Sequence, residues 1–368
     1  MKVLISPEDL LVLWMYYGIS SSDMEDITFY GELRIKTVQL IIACLKYAPG
    51  KYFLALELTS LLGNCSEFKK RIISKVQDIL HDMVDNSKYI REDLDYYISL
   101  DRNKLDQYTD LIKADAATRA AIVEWAKRLV VTVLLPFHNR KKKQTGIAPE
   151  DNMPPYFKKL RSQVLSRDGT RCTVTGNSDY VEMLQRHQDL VVSLRLFPVI
   201  PTDTYRKPGL IQALSKLTDG AIRSKDLRCE ELLKASNWVL LSPYVLPHFV
   251  SQDCGISATK DPTAGYVYNF VNIRPVTFDF QAPAVLAFGG PKPEPVADAL
   301  PRPEFCNISL AVAKITYFSG ASAVLDRLIE DEEDILSRHS YLDGRPEVWT
   351  ILCNKLAAYE ATSADLFP

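Results

Sequence analysis

Residues 167–176 read RDGTRCTVTG, a basic stretch that carries two glycines and a single cysteine. Glycine beside aspartate or threonine is typical of tight turns, so this stretch predicts a turn. Cys172 stands alone where a metal-binding turn would supply two thiols. The period of the chain also changes here, because helical spacing dominates before the turn and strand-like alternation follows it.

The composition is that of a globular protein with enough mass for two hydrophobic cores. The 368 residues include 44 Lys and Arg against 46 Asp and Glu, for a net charge of -2. This balance weighs against a nucleic-acid partner without excluding it. Seven cysteines are scattered without a CxxC pair, which predicts reduced thiols and a cytoplasmic location. No window offers about twenty uncharged apolar residues, so we expect no membrane span.

The first 150 residues are predicted to form a helical domain, because apolar side chains recur there at spacings of three and four. Helices are predicted from Ser6, over 33–47, over 68–83 and over 115–135. Pro136 is expected to end the last of these helices. The basic, Pro- and Gly-containing run 138–155 then predicts a solvated loop at the domain boundary.

Strand-like alternation appears in three later segments, which are 191–201, 237–249 and 265–280. A helical pattern rich in turns separates the first two segments. A Pro-rich connector is predicted over 283–305, followed by a strand or buried helix over 308–318. An amphipathic helix is expected from Ser319 or Ser322, with the acidic cluster 330–334 facing solvent, and a last helix over 346–359. The fold class is α+β, with a helical domain over 1–150, a mixed module over 151–280, and the connector with C-terminal helices over 281–368.

Several motifs of the mixed module occur in a recognisable order. KKLRSQVLSRDGTRCTVTG is followed by a strand closing in a Pro-containing motif, then by SNWVLLSPYVLPHF and an aromatic strand. This order resembles the fungal branch of the HNH endonuclease family, over roughly residues 156–275. The resemblance implies that Asn237 takes the place of the family's asparagine and His248 that of its last histidine. The family's His-Ile-Ile-Pro, however, is Pro198-Val199-Ile200-Pro201 in this chain.

Proline at position 198 removes the general base that the resemblance would require. An HNH nuclease uses that histidine to take a proton from water and a divalent cation to stabilise charge on the phosphate. His187 lies eleven positions upstream, too far to replace it if the segment is an extended strand. The sequence therefore predicts an HNH-like frame without nuclease chemistry, and no metal.

Such a frame leaves a cleft in which a small molecule could be bound. Proteins that resemble degenerate HNH nucleases occur in fungal terpenoid biosynthesis, which implies a terpenoid substrate, no cofactor, and an intramolecular cycloaddition that needs mainly positioning and hydrogen bonds. The predicted catalytic residues are Asn237, His248, Arg195 and Tyr205, and the predicted substrate-binding residues are Trp238, Tyr244, Phe249 and Tyr268. Aromatic residues that alternate along strands are equally typical of a core, and His248 is equally explained as packed filler.

Two other functions remain open from the sequence. A nucleic-acid- or protein-binding module is supported by the basic stretches 138–143 and 158–171. An active nuclease with a displaced base is the third alternative. Ligand binding without metal, DNA binding with a steep salt dependence, and metal-dependent nicking distinguish the three.

Overall fold

The computed structural model describes residues 27–28, 34–50, 54, 58, 116–138, 155–169, 171–176, 194–262, 265–274, 285–286, 288 and 300–327. Several predicted features lie outside these residues, namely the helices from Ser6, over 68–83 and over 346–359, the body of the basic loop, His187 and the acidic cluster 330–334.

The described residues form a mixed helical and stranded structure, which confirms the α+β class. The helices are α1 (Thr37–Tyr47), α2 (Ala116–Leu129), α3 (Leu135–His138), α4 (Pro155–Asp168), α5 (Pro208–Leu217), α6 (Cys229–Leu232), α7 (Leu246–Val250), α8 (Pro303–Phe318) and α9 (Ala321–Arg327). The strands are β1 (Ile27–Thr28), β2 (Arg34–Ile35), β3 (Arg195–Pro198), β4 (Trp238–Leu241), β5 (Cys254–Asp261), β6 (Gly265–Asn272) and β7 (Val285–Leu286).

The long second helix does not end where the sequence predicted. A π turn over Val130–Leu134 joins α2 to α3, so the chain stays helical past Pro136 as far as His138. A π turn changes the backbone register, which allows a helix to accommodate a residue without an N–H. His138 therefore lies at the end of a helix, fully buried, and not in the loop that the sequence predicted.

Strands β3 and β4 form an antiparallel pair. A long excursion of the chain, residues 199–237, separates the two strands in sequence. Phe197 lies opposite Val239, and Pro198 lies opposite Trp238 at the end of the ladder. The excursion contains three short 3-10 turns with α5 and α6. Helix α7 follows β4 directly, so the module runs strand, strand, helix along the chain.

A second sheet has the order β5-β6-β7, and all its pairs are antiparallel. Strand β5 was not predicted from the sequence, and β7 falls in the segment that was predicted to be an extended connector. Strand β5 packs against α8, where a Cβ added to Gly255 would lie 2.9 Å from Leu310 Cδ1. The glycine therefore permits the close approach of this strand and helix.

Helix α8 is the central element of the core. A strand or a buried helix was predicted over 308–318, and the buried helix is the one observed. The helix begins with Pro303 at its first position, where proline is favoured. Residues of all three predicted segments, such as Leu45, Val239 and Ile308, belong to one hydrophobic cluster. The division into three units stays a prediction.

Among the described helices, none is by itself long and apolar enough to cross a membrane. Only α8 and α9 taken together meet the length and composition requirement, and they are bent by 91° relative to each other.

Candidate functional site

The turn that opens the mixed module is held by a buried ion pair between adjacent residues. Arg167 Nε lies 2.5 Å from Asp168 Oδ1, and Nη2 lies 2.7 Å from Oδ2. The same guanidinium donates to the carbonyls of Ala235 and Trp238 at 3.0 and 2.9 Å. Burial raises the pKa of Asp168, and Arg167 opposes that rise. The pair thus fixes the turn to the start of β4.

Cys172 joins the same turn to the end of β4. Its sulfur accepts the backbone N–H groups of Thr175 at 3.4 Å and Ser242 at 3.3 Å. The side chain is buried, and the Thr173 N–H bonds to Leu240 O at 2.8 Å. This single thiol therefore has a structural role in the turn. Within the described ranges, no three His, Cys, Asp or Glu side chains are grouped as a metal site would require.

Asn237 closes the excursion between β3 and β4. Its Oδ1 accepts the Ile200 N–H at 2.8 Å, and its Nδ2 donates to the carbonyls of Ile200 and Leu232, both at 3.0 Å. The side chain is fully buried. Both amide hydrogens are donated to the protein itself, so the contacts of Asn237 indicate a structural role.

His248 lies on α7 within a small ionic cluster. Its Nδ1 is 3.4 Å from Asp253 Oδ2, and Arg274 Nε is 3.3 Å from Asp253 Oδ1. The His248 side chain is 28% exposed, whereas Asp253 is 10% exposed. The arrangement gives His248 a carboxylate partner at the edge of the module.

A cavity lies beside these positions, between the β3-β4 pair, α7, β5 and α8. The volume that its walls enclose is about 20 Å³, and the wider unfilled space around it, open solvent included, is about 370 Å³. The lining residues are Phe197, Val199, Val239, Phe249, Gln252, Cys254, Gly255, Ile256, Cys306, Ser309 and Ala313. Side chains alternate across a strand, so Phe197 points into this cavity and Pro198 points to the other face of β3. The cavity therefore lies on the face of β3 opposite to Pro198.

The polar groups of the cavity wall are few. The wall residues that carry polar side chains or thiols are Gln252, Ser309, Cys254 and Cys306. Burial raises the pKa of Cys306 to about 12 and also raises that of Cys254. Both thiols are protonated at neutral pH, so they act as small apolar groups and not as nucleophiles.

Of the eight predicted site residues, the structure places Phe249 in the cavity wall. Its ring packs edge-on against Phe197, with a centroid distance of 5.6 Å. Trp238 is buried on the opposite face of β4, where its Nε1 donates to Leu232 O at 3.0 Å. Tyr268 is buried in β6, and its hydroxyl donates to Pro301 O at 2.5 Å.

The other predicted residues lie away from the cavity wall. Tyr244 is 61% exposed in the turn before α7. The Tyr205 hydroxyl accepts the Arg206 Nε at 2.7 Å. Arg195 lies at the start of β3 opposite Leu241, at the end of the strand away from Asn237. None of the four predicted catalytic residues lines this cavity.

Sequence reasoning missed the polar residues that do line the cavity. Gln252 and Ser309 belong to no motif, and they are brought together by the packing of β5 against α8. The Gln252 backbone has φ 61°, a conformation uncommon outside glycine and enriched at functional positions. That signal is visible only in the structure.

No known protein family matches this chain, no curated protein matches it in sequence, and no solved structure matches its fold.

Proposed function

We propose that this chain is a metal-free small-molecule enzyme on an HNH-like frame, and specifically a pericyclase that catalyses an intramolecular Diels-Alder reaction in fungal terpenoid biosynthesis. The particular protein that the sequence resembles is the norbornene-forming Diels-Alderase of the sordaricin pathway. One observation carries the proposal, namely an apolar cavity on the face of β3 opposite to Pro198, the residue that replaces the general base.

A cycloaddition makes modest chemical demands on a protein. The substrate must be folded so that its reacting carbons approach each other, and a hydrogen bond must polarise the electron-poor partner. No proton has to be removed, so Pro198 is no obstacle. Each tenfold of rate requires about 1.4 kcal/mol of transition-state stabilisation, which is within reach of shape and one or two hydrogen bonds. The walls supply Phe197 and Phe249 for shape, and Gln252 and Ser309 carry polar side chains.

The volume of the cavity limits the part of a ligand that it can enclose. The volume that its walls enclose is about 20 Å³, which is room for a water-sized group. We therefore infer that a substrate lies mainly against the open side of the cavity, with only a small apolar group inside it.

The proposal is tested by replacing each of two alanines of α8 with leucine. Ala313 lines the cavity, whereas Ala311 is equally buried but is not in the wall. We expect Ala313→Leu to occupy the cavity and to abolish turnover of a terpenoid that carries a cyclopentadiene and an alkene. Ala311→Leu is expected to lower the melting temperature because it overpacks the core by about 1–3 kcal/mol, while the folded protein stays active.

The same assay includes EDTA and added Mg²⁺ or Mn²⁺. We expect neither to change turnover or the melting temperature, because the proposed chemistry needs no cation. Loss of activity in EDTA, or full activity of Ala313→Leu, would contradict the proposal.

The binding-module alternative has one structural observation in its favour. Phe318, 48% exposed, stacks on Tyr47 at a centroid distance of 4.8 Å. Lys46 and Lys314 place their ammonium groups 5.4 and 5.6 Å from the same Tyr47 ring. Exposed rings beside cations are the elements that bind single-stranded nucleic acids. Anisotropy of a labelled oligonucleotide, measured over a salt series with Phe318→Ala and Lys314→Ala, tests this function.

A further inference from the structure

A cluster of aromatic and cationic side chains lies where the C-terminal ends of α1 and α8 meet. Phe318 stacks on Tyr47 at a ring-centroid distance of 4.8 Å and an interplanar angle of 23°. Tyr317 meets Phe318 edge-on at a centroid distance of 5.0 Å. Lys46 and Lys314 place their ammonium groups 5.4 and 5.6 Å from the centre of the Tyr47 ring. We call these five residues the α1-α8 patch.

The α1-α8 patch is exposed and carries positive charge without a counter-charge. Phe318 is 48% exposed, and Lys46 is exposed as well. No carboxylate of the described residues forms an ion pair with Lys46 or Lys314. Lys314 is partly buried, and this burial lowers its pKa. A partly desolvated ammonium group is stabilised when a carboxylate approaches it, so the patch favours an acidic partner.

A further cation borders the patch, and it has its own counter-charge. The guanidinium carbon of Arg274 lies 5.7 Å from the centre of the Tyr317 ring. Its Nε is 3.3 Å from Asp253 Oδ1, and its Nη2 is 3.3 Å from Ser322 Oγ. Asp253 therefore balances this arginine, and the charges of the two lysines stay unmatched.

The chain contains an acidic segment that begins a short distance after α9. Residues 330–334 read EDEED, which is five consecutive acidic residues. Helix α9 begins three residues after Phe318 and ends at Arg327. Near that end, Asp326 Oδ1 lies 2.9 Å from Nε2 of the buried His138. This contact attaches the end of α9 to the core, so the chain leads into the acidic segment from a defined point.

The length of chain after α9 is sufficient for the acidic segment to return to the patch. The seven residues of α9 rise about 10 Å along its axis. The helix is bent by 91° relative to α8, and the patch lies at the end of α8 where α9 begins. Glu332 follows Arg327 by five positions, and an extended chain of that length spans about 17 Å. The tether is therefore longer than the helix that it has to pass back along.

We propose that the acidic segment 330–334 of the same chain covers the α1-α8 patch and places its carboxylates beside Lys46 and Lys314. A tethered segment has a high effective concentration at such a surface, so an external anion binds there only when it displaces the segment. None of the patch residues lines the cavity. The inference therefore does not depend on the function proposed for the cavity.

Zero-length crosslinking with a carbodiimide tests the contact on dilute, unmodified, full-length protein. The reagent joins a carboxylate to an amine with loss of water, and it does so only where the two groups are in contact. Mass spectrometry of the peptides locates each link. We expect links from the segment 330–334 to Lys46 or Lys314.

The same experiment contains its own controls. The surface pairs Lys207–Asp203 and Lys234–Glu231, at 2.8 and 2.6 Å, should be linked in every sample. Lys36 is the matched negative control, because it is exposed and flanks the other end of α1. The eleven residues of α1 put Lys36 about 15 Å from the patch, so its links to the acidic segment should be much weaker.

A second measurement does not depend on the yield of crosslinks. A variant in which the five acids 330–334 are replaced by their amides removes the proposed partner, and circular dichroism shows whether it stays folded. Acetylation of Lys314 by an activated ester should be about twofold to fivefold faster in this variant, because an exposed ion pair of ordinary strength no longer holds the amine protonated. Acetylation of Lys36 should be unchanged. High salt should remove the difference at Lys314, because exposed charges are then screened.

Each outcome either supports or overturns the proposal. Links to neither patch lysine while both control pairs are linked, or links to Lys36 in equal yield, would overturn it. Links found only between isotope-labelled and unlabelled copies in a mixture would assign the segment to a second copy and overturn the contact within one chain. An unchanged acetylation rate of Lys314 in the amide variant would also overturn it.

Discussion

Replacing Asn237 by alanine tests whether this residue is structural, as its contacts indicate. The substitution removes three buried hydrogen bonds. The carbonyl of Leu232 keeps a partner, because Trp238 Nε1 also donates to it. The N–H and carbonyl of Ile200 lose the bonds that Asn237 made with them, and Ile200 is fully buried. At about 1 kcal/mol for each bond, and more for polar groups that stay dry, we expect a loss of about 3 kcal/mol in the free energy of unfolding.

Asn237→Asp gives a sharper version of the same test. The carboxylate can still accept from Ile200, but it faces the carbonyls of Ile200 and Leu232 without a hydrogen to donate. Burial and these carbonyls are expected to raise the pKa of the introduced group. The destabilisation should then be largest above that pKa and become smaller as pH falls through it, because the protonated acid can donate again.

Urea unfolding followed by far-UV circular dichroism measures these changes. Hydrogen exchange at the Ile200 amide reports the local bond directly. Asn307→Ala is the matched control, because Asn307 makes two similar bonds to Ala258 at 2.8 and 2.9 Å in a partly exposed position. Water can replace those bonds, so a loss of about 1 kcal/mol is expected. If Asn237→Ala costs no more than Asn307→Ala, the structural role assigned to Asn237 is refuted.

Two further predictions concern backbone packing and acid stability. Gly50→Ala should destabilise by about 2 kcal/mol or more, because the new Cβ would lie 2.2 Å from Asp219 N. Gly209→Ala should be neutral or stabilising by up to about 1 kcal/mol, because Gly209 lies in helix α5 and its new Cβ would make an ordinary contact of 3.6 Å with Thr132 Cγ2. Thermal unfolding compares the stability of the two glycine variants. Burial opposes ionisation of Asp226, but the Arg223 N–H and Arg302 outweigh it and lower the pKa of Asp226. The ionised Asp226 therefore stabilises the folded state at neutral pH, and this stabilisation is lost as pH falls through the lowered pKa. Asp226→Asn should make the urea midpoint depend less on pH below about 4. An unchanged pH dependence would contradict this assignment.

Local periodicity was sufficient to predict several elements near the site. Helix α1 and strands β3, β4 and β6 lie within the predicted segments, because each has one face or side in the core. Strand β5 was missed although Ile256 and Ala258 alternate with polar residues. Its short side chains and Gly255 give a weak hydrophobic signal, and its stability comes from β6 and α8.

The cavity could not be predicted, because its members are distant in sequence and belong to no motif. The Asp326 and Gln252 contacts of His138 join residues 188 and 114 positions apart. Pro136 was expected to end the preceding helix, and this placed His138 in a loop. The π turn carries the helix on and brings His138 into the core. Asn237 was found by its motif, but only the structure shows that its amide is used internally.

The excursion between β3 and β4 starts and finishes at one point, since Asn237 reaches back across 37 positions to Ile200. When the two ends of a segment are held together, extra residues within it need not move the strands on either side. By polymer statistics, doubling such a segment adds only about 0.6 kcal/mol of closure entropy. Its helix α5 is itself part of the core, because Leu210, Leu214 and Leu217 are buried in the same hydrophobic cluster as β3 and β4. Added residues should therefore be tolerated in the turns of this segment, whereas replacing the whole segment would remove part of the core.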